Sequence, residues 1–424
     1  MRLFWVSALF AIWLSGCSSS NTGQIQNAKE VSTACTVGIY GSTASFVAIM
    51  NRQGVDRYSR SDGRAGRVAE DDRVACHGNT LKIDGATVLE RRAIRTTNSR
   101  FDVAGAVLAG QLMEPEEVGP NTPLVVYAHG SERLGWIESA TDPYQMVGRG
   151  VSVFVYDKRG TGESTGTYSQ NFPELADDLV AAAGEAKRLA AGRFGRFGLF
   201  GLSQGGWIAP LAAKRANADF LGIGYGLVVD ILEEDAAQVE LELTEAGYGK
   251  AVLAKARELT DVTARLAVSH YTDGLDDLDT LRARYRDQPW YSIVRGGFTG
   301  VILGISSNEL RTKGIPMFDE LNIDWSLDPM AILRDVETPQ LWVLAEDDRE
   351  APFAKTLGRL QTIRREGRDI TIHVFPRTDH GMWEYDQAAD GTREYTQVTD
   401  GFYRLMSDWA KGVFAGPYGM SRLE

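Results

Sequence analysis

Histidine and cysteine are scarce in this chain, with five of one and three of the other in 424 residues. No H-x-x-x-H and no C-x-x-C occurs. His77 stands beside Cys76 and His373 lies inside an apolar run, neither with the partners for a metal site, and His270 ends a helical stretch whose C-terminus it suits. These absences exclude the common zinc spacings, and neither a metal nor another cofactor is expected. Basic residues are outnumbered, 45 Lys and Arg against 57 Asp and Glu, for a net charge of −12. That balance argues against nucleic acid as a partner. The N-terminal apolar run, LFWVSALFAIWL, is shorter than the roughly 20 residues that a bilayer-spanning helix needs.

What the N-terminus has is a secretion signature. Arg2 precedes the apolar run, Leu14-Ser15-Gly16-Cys17 follows it, and a polar SSSNTGQ comes next. This arrangement resembles the lipobox of bacterial lipoproteins. The resemblance implies that residues 1–16 are a signal peptide, that Cys17 carries a diacylglyceryl group and that 17–31 is a tether. Ser18 then implies the outer membrane of a Gram-negative cell, facing the periplasm or the exterior, with the membrane as a partner through the anchor. An exported chain meets an oxidising compartment, so Cys35 and Cys76 are expected to form a disulfide.

Residues 32–90 read as a small β module, with short strands such as ASFVAIMN and VDRYS and turns at Asp62-Gly63 and Asp84-Gly85. It is too short for a propeller, whose blades need about 40–45 residues each. From Arg91 the rhythm changes. RRAIRTTNSRFDVAGAVLAGQLMEP reads as two antiparallel strands. Buried-strand runs then alternate with helical segments: LVVYA, VSVFVY, RFGLFGL, GIGYGLVV, LWVLA and ITIHVF. The helix starting at NFPEL is capped by Asn171, with Pro173 and Glu174 in its first turn. Tyr395, Val398, Phe402, Leu405 and Trp409 suggest one C-terminal helical face. The fold class is therefore α/β, a mostly parallel sheet over 91–230 and 322–424, interrupted by a helical cap at 231–321.

In GLFGLSQGG, Ser203 sits between Gly201 and Gly205, after a strand and before a helix. A tight bend there lifts a serine oxygen clear of the sheet. A serine needs a base, and the base an orienting acid. Glu346, Asp347 and Asp348 end one later strand, and His380 follows the last. The backbone N–H of Gln204, at a helix N-terminus, suits an oxyanion.

Together YAHGSERLG, VFVYDKRGTGESTG, GLFGLSQGG, AEDDREAP and RTDHGMW resemble the α/β-hydrolase superfamily, most nearly its bacterial esterase and serine-aminopeptidase-like group. The register of AEDDREAP implies Asp348 as the acid, with Asp230, one strand earlier, as the other candidate. The loop after LVVYAHG implies Ser131 as the second oxyanion donor. The implied activity is hydrolysis of a small-molecule carboxylic ester through an acyl-enzyme on Ser203, with His380 as base. A serine peptidase of the same fold and a non-catalytic envelope binding lipoprotein are the alternatives. His129 is read as shaping its loop, and Asp157, Lys158 and Arg159 as fixing the geometry of theirs. Trp136, Trp290, Tyr291, Phe298 and Trp383 are read as core first and acyl pocket second. Radioactive fatty acid should label the expressed protein and fail to label a Cys17→Ala variant; label on the variant would refute the anchor.

Overall fold

The computed structural model describes residues 35–424, apart from 53, 138–139 and 315–320. Cys17 and the expected signal peptide lie outside the described residues. The chain first forms β1 (Gly38–Gly41), β2 (Phe46–Arg52), β3 (Val55–Arg60), β4 (Ala65–Arg67), β5 (Val74–His77), β6 (Thr80–Ile83) and β7 (Thr87–Arg92). These make one antiparallel sheet in the order β4-β3-β2-β1-β7-β6-β5. Asp84 and Gly85, with positive φ, and Gly63 make the turns that the Asp-Gly pairs announce. One face packs its own small core around Tyr40, Ile49 and Leu81. The other gives Ile39, Phe46, Ala48 and Met50 to the main body.

The main sheet holds β8 (Ile94–Val103), β9 (Ala106–Pro115), β10 (Leu124–Ala128), β11 (Ser152–Tyr156), β12 (Phe197–Leu202), β13 (Phe220–Gly224), β14 (Gln340–Ala345) and β15 (Ile370–Phe375). Their order is β15-β14-β13-β12-β10-β11-β9-β8. From β11 to β15 every pairing is parallel. The β8–β9 hairpin closes one side antiparallel to β11. The apolar runs were legible because these strands are covered on both faces. Helices α1 (Asp142–Gly148) and Phe402–Lys411 cover one face. Helices α2 (Phe172–Leu189) and α3 (Gly205–Ala213) cover the other. The Asn171 side chain accepts the Glu174 N–H at 2.9 Å and so starts α2.

Two local expectations are corrected. The run 222–229 is not one strand: β13 ends at Gly224, and Tyr225 turns out at φ 41°. Tyr395 and Val398 do not share a helix with Phe402. They belong to a strand, Arg393–Val398, in a three-stranded sheet with Thr378–Asp379 and Trp383–Gln387. Gly401, at φ 92°, resets the chain before the helix begins. A short strand, Arg422–Leu423, also pairs with β15 at its edge.

The insertion after β13 carries α4 (Ile231–Glu245), α5 (Lys250–Val268) and α6 (Leu275–Tyr285), then shorter helical turns to Gly314. Val239, Leu259 and Leu278 are buried and continuous with the core around α2 and α3. The buried Asp235 carboxylate accepts the Phe298 and Thr299 N–H groups at 2.8 and 2.9 Å, which ties α4 to the later cap segment.

A disulfide joins Cys35 to Cys76 across 41 residues, with Cα atoms 5.3 Å apart. Loop-closure entropy for a span of that size is worth roughly 4 kcal/mol, and measured effects centre on about 2–4 kcal/mol. The Cys35→Ser, Cys76→Ser double variant should therefore unfold at lower denaturant by about that free energy. An unchanged midpoint would show that the bridge contributes nothing.

Candidate active site

Three loops at the carboxyl ends of β12, β14 and β15 meet at one edge of the sheet. Ser203 follows β12 at φ 52°, a left-handed conformation that costs a residue with a Cβ about 1–2 kcal/mol. The turn is held by the Ser203 N–H to the Gly224 carbonyl at 3.1 Å and by the Gly206 N–H to the Ser203 carbonyl at 2.7 Å. Its tightness explains the flanking glycines. A Cβ on Gly201 would stand 2.2 Å from the Gly205 carbonyl oxygen, and one on Gly205 would stand 2.1 Å from that of Ala128.

Ser203 Oγ lies 3.0 Å from His380 Nε2. His380 Nδ1 lies 3.0 Å from both Asp348 oxygens. Asp348 is buried, and its Oδ1 also accepts the Glu350 and Ala351 N–H groups at 2.9 and 2.8 Å. The structure thus brings Ser203, His380 and Asp348 together in one hydrogen-bonding chain. Asp230 is placed elsewhere in role: it caps α4, accepting the Glu233 N–H at 2.8 Å in a capping box. His380 is itself framed by buried Asp379, which accepts the His380 N–H at 2.8 Å and pairs with Arg393 at 2.6 Å. Tyr225 sets its ring edge-on to the imidazole, centroids 5.0 Å apart.

Ser131 and Gln204 sit at the ends of the adjacent strands β10 and β12, and both line the cavity in front of Ser203. His129 is buried and stacked on Trp136, with Nδ1 2.8 Å from Glu132. Burial, with the Lys158 charge nearby, lowers its pKa against the opposing charge of Glu132. The YDKRG turn gives each charge a separate task. Asp157 accepts the Trp136 and Ile137 N–H groups at 2.6 and 3.1 Å, Lys158 donates to the Gly130 carbonyl at 2.5 Å, and Arg159 makes a two-pronged pair with Asp178 at 2.7 and 2.6 Å.

The cavity is narrow, about 50 Å³. Phe172, Trp207, Ile231 and Ile323 give it apolar walls, whereas Trp290 and Phe298 are packed inside the cap core. Gln170, Gln238, Glu234 and Glu350 supply its polar surface. Sequence reading missed these four. Glu350 was visible inside AEDDREAP, and Glu234 and Gln238 share a helix face at i, i+4, but nothing in the sequence turned that face toward Ser203. Among the described residues no group of three or more His, Cys, Asp or Glu side chains is arranged to hold a metal ion.

Glu350 approaches His380 Nε2 at 3.5 Å. Burial disfavours the imidazolium, but the charges of Asp348 and Glu350 outweigh it and raise the His380 pKa. Burial, reinforced by Glu350, pushes Glu234 up to about 8. A base must be neutral to accept a proton, so a base with a raised pKa works better as pH rises. kcat/KM should therefore climb on the alkaline side of neutrality. Glu350→Gln removes one negative neighbour and should move that climb to lower pH; an unmoved profile would separate Glu350 from the titration.

No curated protein matches the sequence. Solved structures of similar fold include an acylaminoacyl peptidase from Pyrococcus horikoshii, 14% identical, with 82% of this chain and 46% of that chain covered and a TM-score of 0.41. The chain thus spans less than half the length of that peptidase. An esterase from Pyrococcus furiosus is 12% identical, with 68% and 83% covered and a TM-score of 0.42. A proline iminopeptidase from Mycobacterium smegmatis is 19% identical, with 67% and 91% covered and a TM-score of 0.41. The model of the alpha/beta hydrolase family matches residues 125–394, more than half of the sequence, and the chain belongs to that family.

Proposed function

We propose that the protein is a serine hydrolase that cleaves carboxylic esters through an acyl-enzyme on Ser203. The observation that carries this reading is the 3.0 Å approach of Ser203 Oγ to His380 Nε2 at a strained turn. His380 takes the hydroxyl proton as Oγ attacks the ester carbonyl, and Asp348 keeps the imidazole in the tautomer that faces Ser203. The N–H groups of Ser131 and Gln204 receive the oxyanion, the second at the N-terminus of α3. His380 then returns the proton to the leaving alcohol, and water repeats the sequence on the acyl-enzyme. Anchoring through Cys17 would hold this activity at the bacterial envelope.

One observation favours a second reading, an aminopeptidase-like hydrolase. Glu234 and Glu350 both line the cavity, and paired carboxylates suit an acyl group that bears an ammonium. Rates on short-chain p-nitrophenyl esters and on aminoacyl amides, measured side by side, decide between the two. The ester reading expects the esters to be turned over and the amides not. Ser203→Ala should retain less than about a thousandth of wild-type kcat on whichever substrate is used. Near-normal turnover by that variant would overturn both readings.

A further inference from the structure

The oxyanion loop is fixed from below by a buried cation that the proposed reaction has not yet used. Lys158 is 2% exposed, and its Nζ donates to the Gly130 carbonyl at 2.5 Å. That carbonyl belongs to the same planar peptide as the Ser131 N–H. A full charge on the oxygen of an amide fixes its plane and draws electron density from its N–H, making that N–H a stronger donor. The next carbonyl is held too: Tyr168 Oη donates to Ser131 O at 2.6 Å. From Tyr168 the chain of contacts runs on, since Gln170 Nε2 donates to Tyr168 Oη and Gln204 Nε2 donates to Gln170 Oε1. Residues 168–170 therefore strap the loop of Ser131 to the turn of Gln204.

We infer that Lys158 is a positioning residue for the oxyanion site, setting the orientation and donor strength of the Ser131 N–H through the Gly130–Ser131 peptide. The inference rests on the hydrolytic reading of Ser203 and adds a charge requirement to it. Glu132, Arg133 and His129 from the loop after β10 and Tyr168 from the strap face the ammonium, the tyrosine ring centroid lying 5.4 Å away. Burial, partly offset by Glu132, pushes Lys158 down to about 8. Its proton is therefore lost at a pH where the Arg side chain keeps its own.

The test is kcat/KM on p-nitrophenyl acetate for the wild type, Lys158→Met and Lys158→Arg, followed from neutral into alkaline pH. Near neutrality Lys158→Met should fall by roughly 10–100-fold, less than the loss of a whole oxyanion donor, with most of the loss in kcat. Lys158→Arg should recover part of it. The ratio of wild type to either variant should then decline as pH passes about 8. A packing role alone would leave that ratio flat, and so would removal of His380 effects, which are common to all three proteins. A Lys158→Met protein within about threefold of wild type, or ratios independent of pH, would overturn the inference while leaving the hydrolase reading intact. If Lys158→Met fails to fold, the pH course of the wild-type to Lys158→Arg ratio decides alone. A wild type without turnover on any ester or aminoacyl amide would sink the hydrolytic reading, and this one with it.

Discussion

The close approach of β10, β12 and α3 is the constraint on which the site depends. Ser203 can stand at φ 52° because Gly201 and Gly205, two residues to either side, have no Cβ to clash with the backbone pressed against them. The strain is borne by the surrounding hydrogen bonds and by the parallel pairing that locks Ala128 opposite Gly201. That same pairing brings the Gly130–Ser131 peptide alongside, with Gly130 against the Ser203 side chain. The proposed nucleophile and oxyanion donors are thus set by backbone, which would leave little to reorganise as charge develops.

Around this centre the structure places several buried charges. Asp348, Asp379, Asp157, Lys158 and Arg159 are all buried, and each is met by N–H groups, a carbonyl or an opposite charge. Such groups add little net stability compared with apolar packing, but they fix loops in single arrangements because a misplaced loop would leave a charge unpaired. The YDKRG turn shows the logic. Its three consecutive charges address the Trp136 end of the loop after β10, the Gly130 carbonyl and α2 in turn. A single charge run here is three separate braces.

Much of this was legible in the sequence, for identifiable reasons. Strands buried on both faces write continuous apolar runs, and the glycines of a sharp elbow frame their serine, so the sheet and Ser203 could be read locally. Ser203, His380 and the acid cluster at 346–348 each follow a strand, so topology alone could bring them to one edge. Choosing Asp348 over Asp230 required the register of a family motif. What could not be read is what depends on how the cap is oriented. Glu234 and Gln238 reach the cavity because α4 crosses it, and no periodicity says which way a helix face will turn. The segment 393–402 failed for another reason: apolar residues three and four apart satisfied a helical spacing across a strand, a turn at Gly401 and a helix.

The two ends of α4 carry a consequence of their own. At its start Glu233 pairs with Lys355 and Arg359, each at 2.6 Å. At its finish Glu245 pairs with Arg349 at 3.1 Å and Arg393 at 3.6 Å. Of those partners, Arg349 follows Asp348 directly in the chain, and Arg393 also pairs with Asp379, the neighbour of His380. The helix is thus tied at both ends to the segments that surround the Ser203–His380–Asp348 cluster. The other walls of the cavity come from elsewhere in the chain, Gly297 from the later cap segment and Ile323 from just after it, so one chamber is enclosed by stretches far apart in sequence.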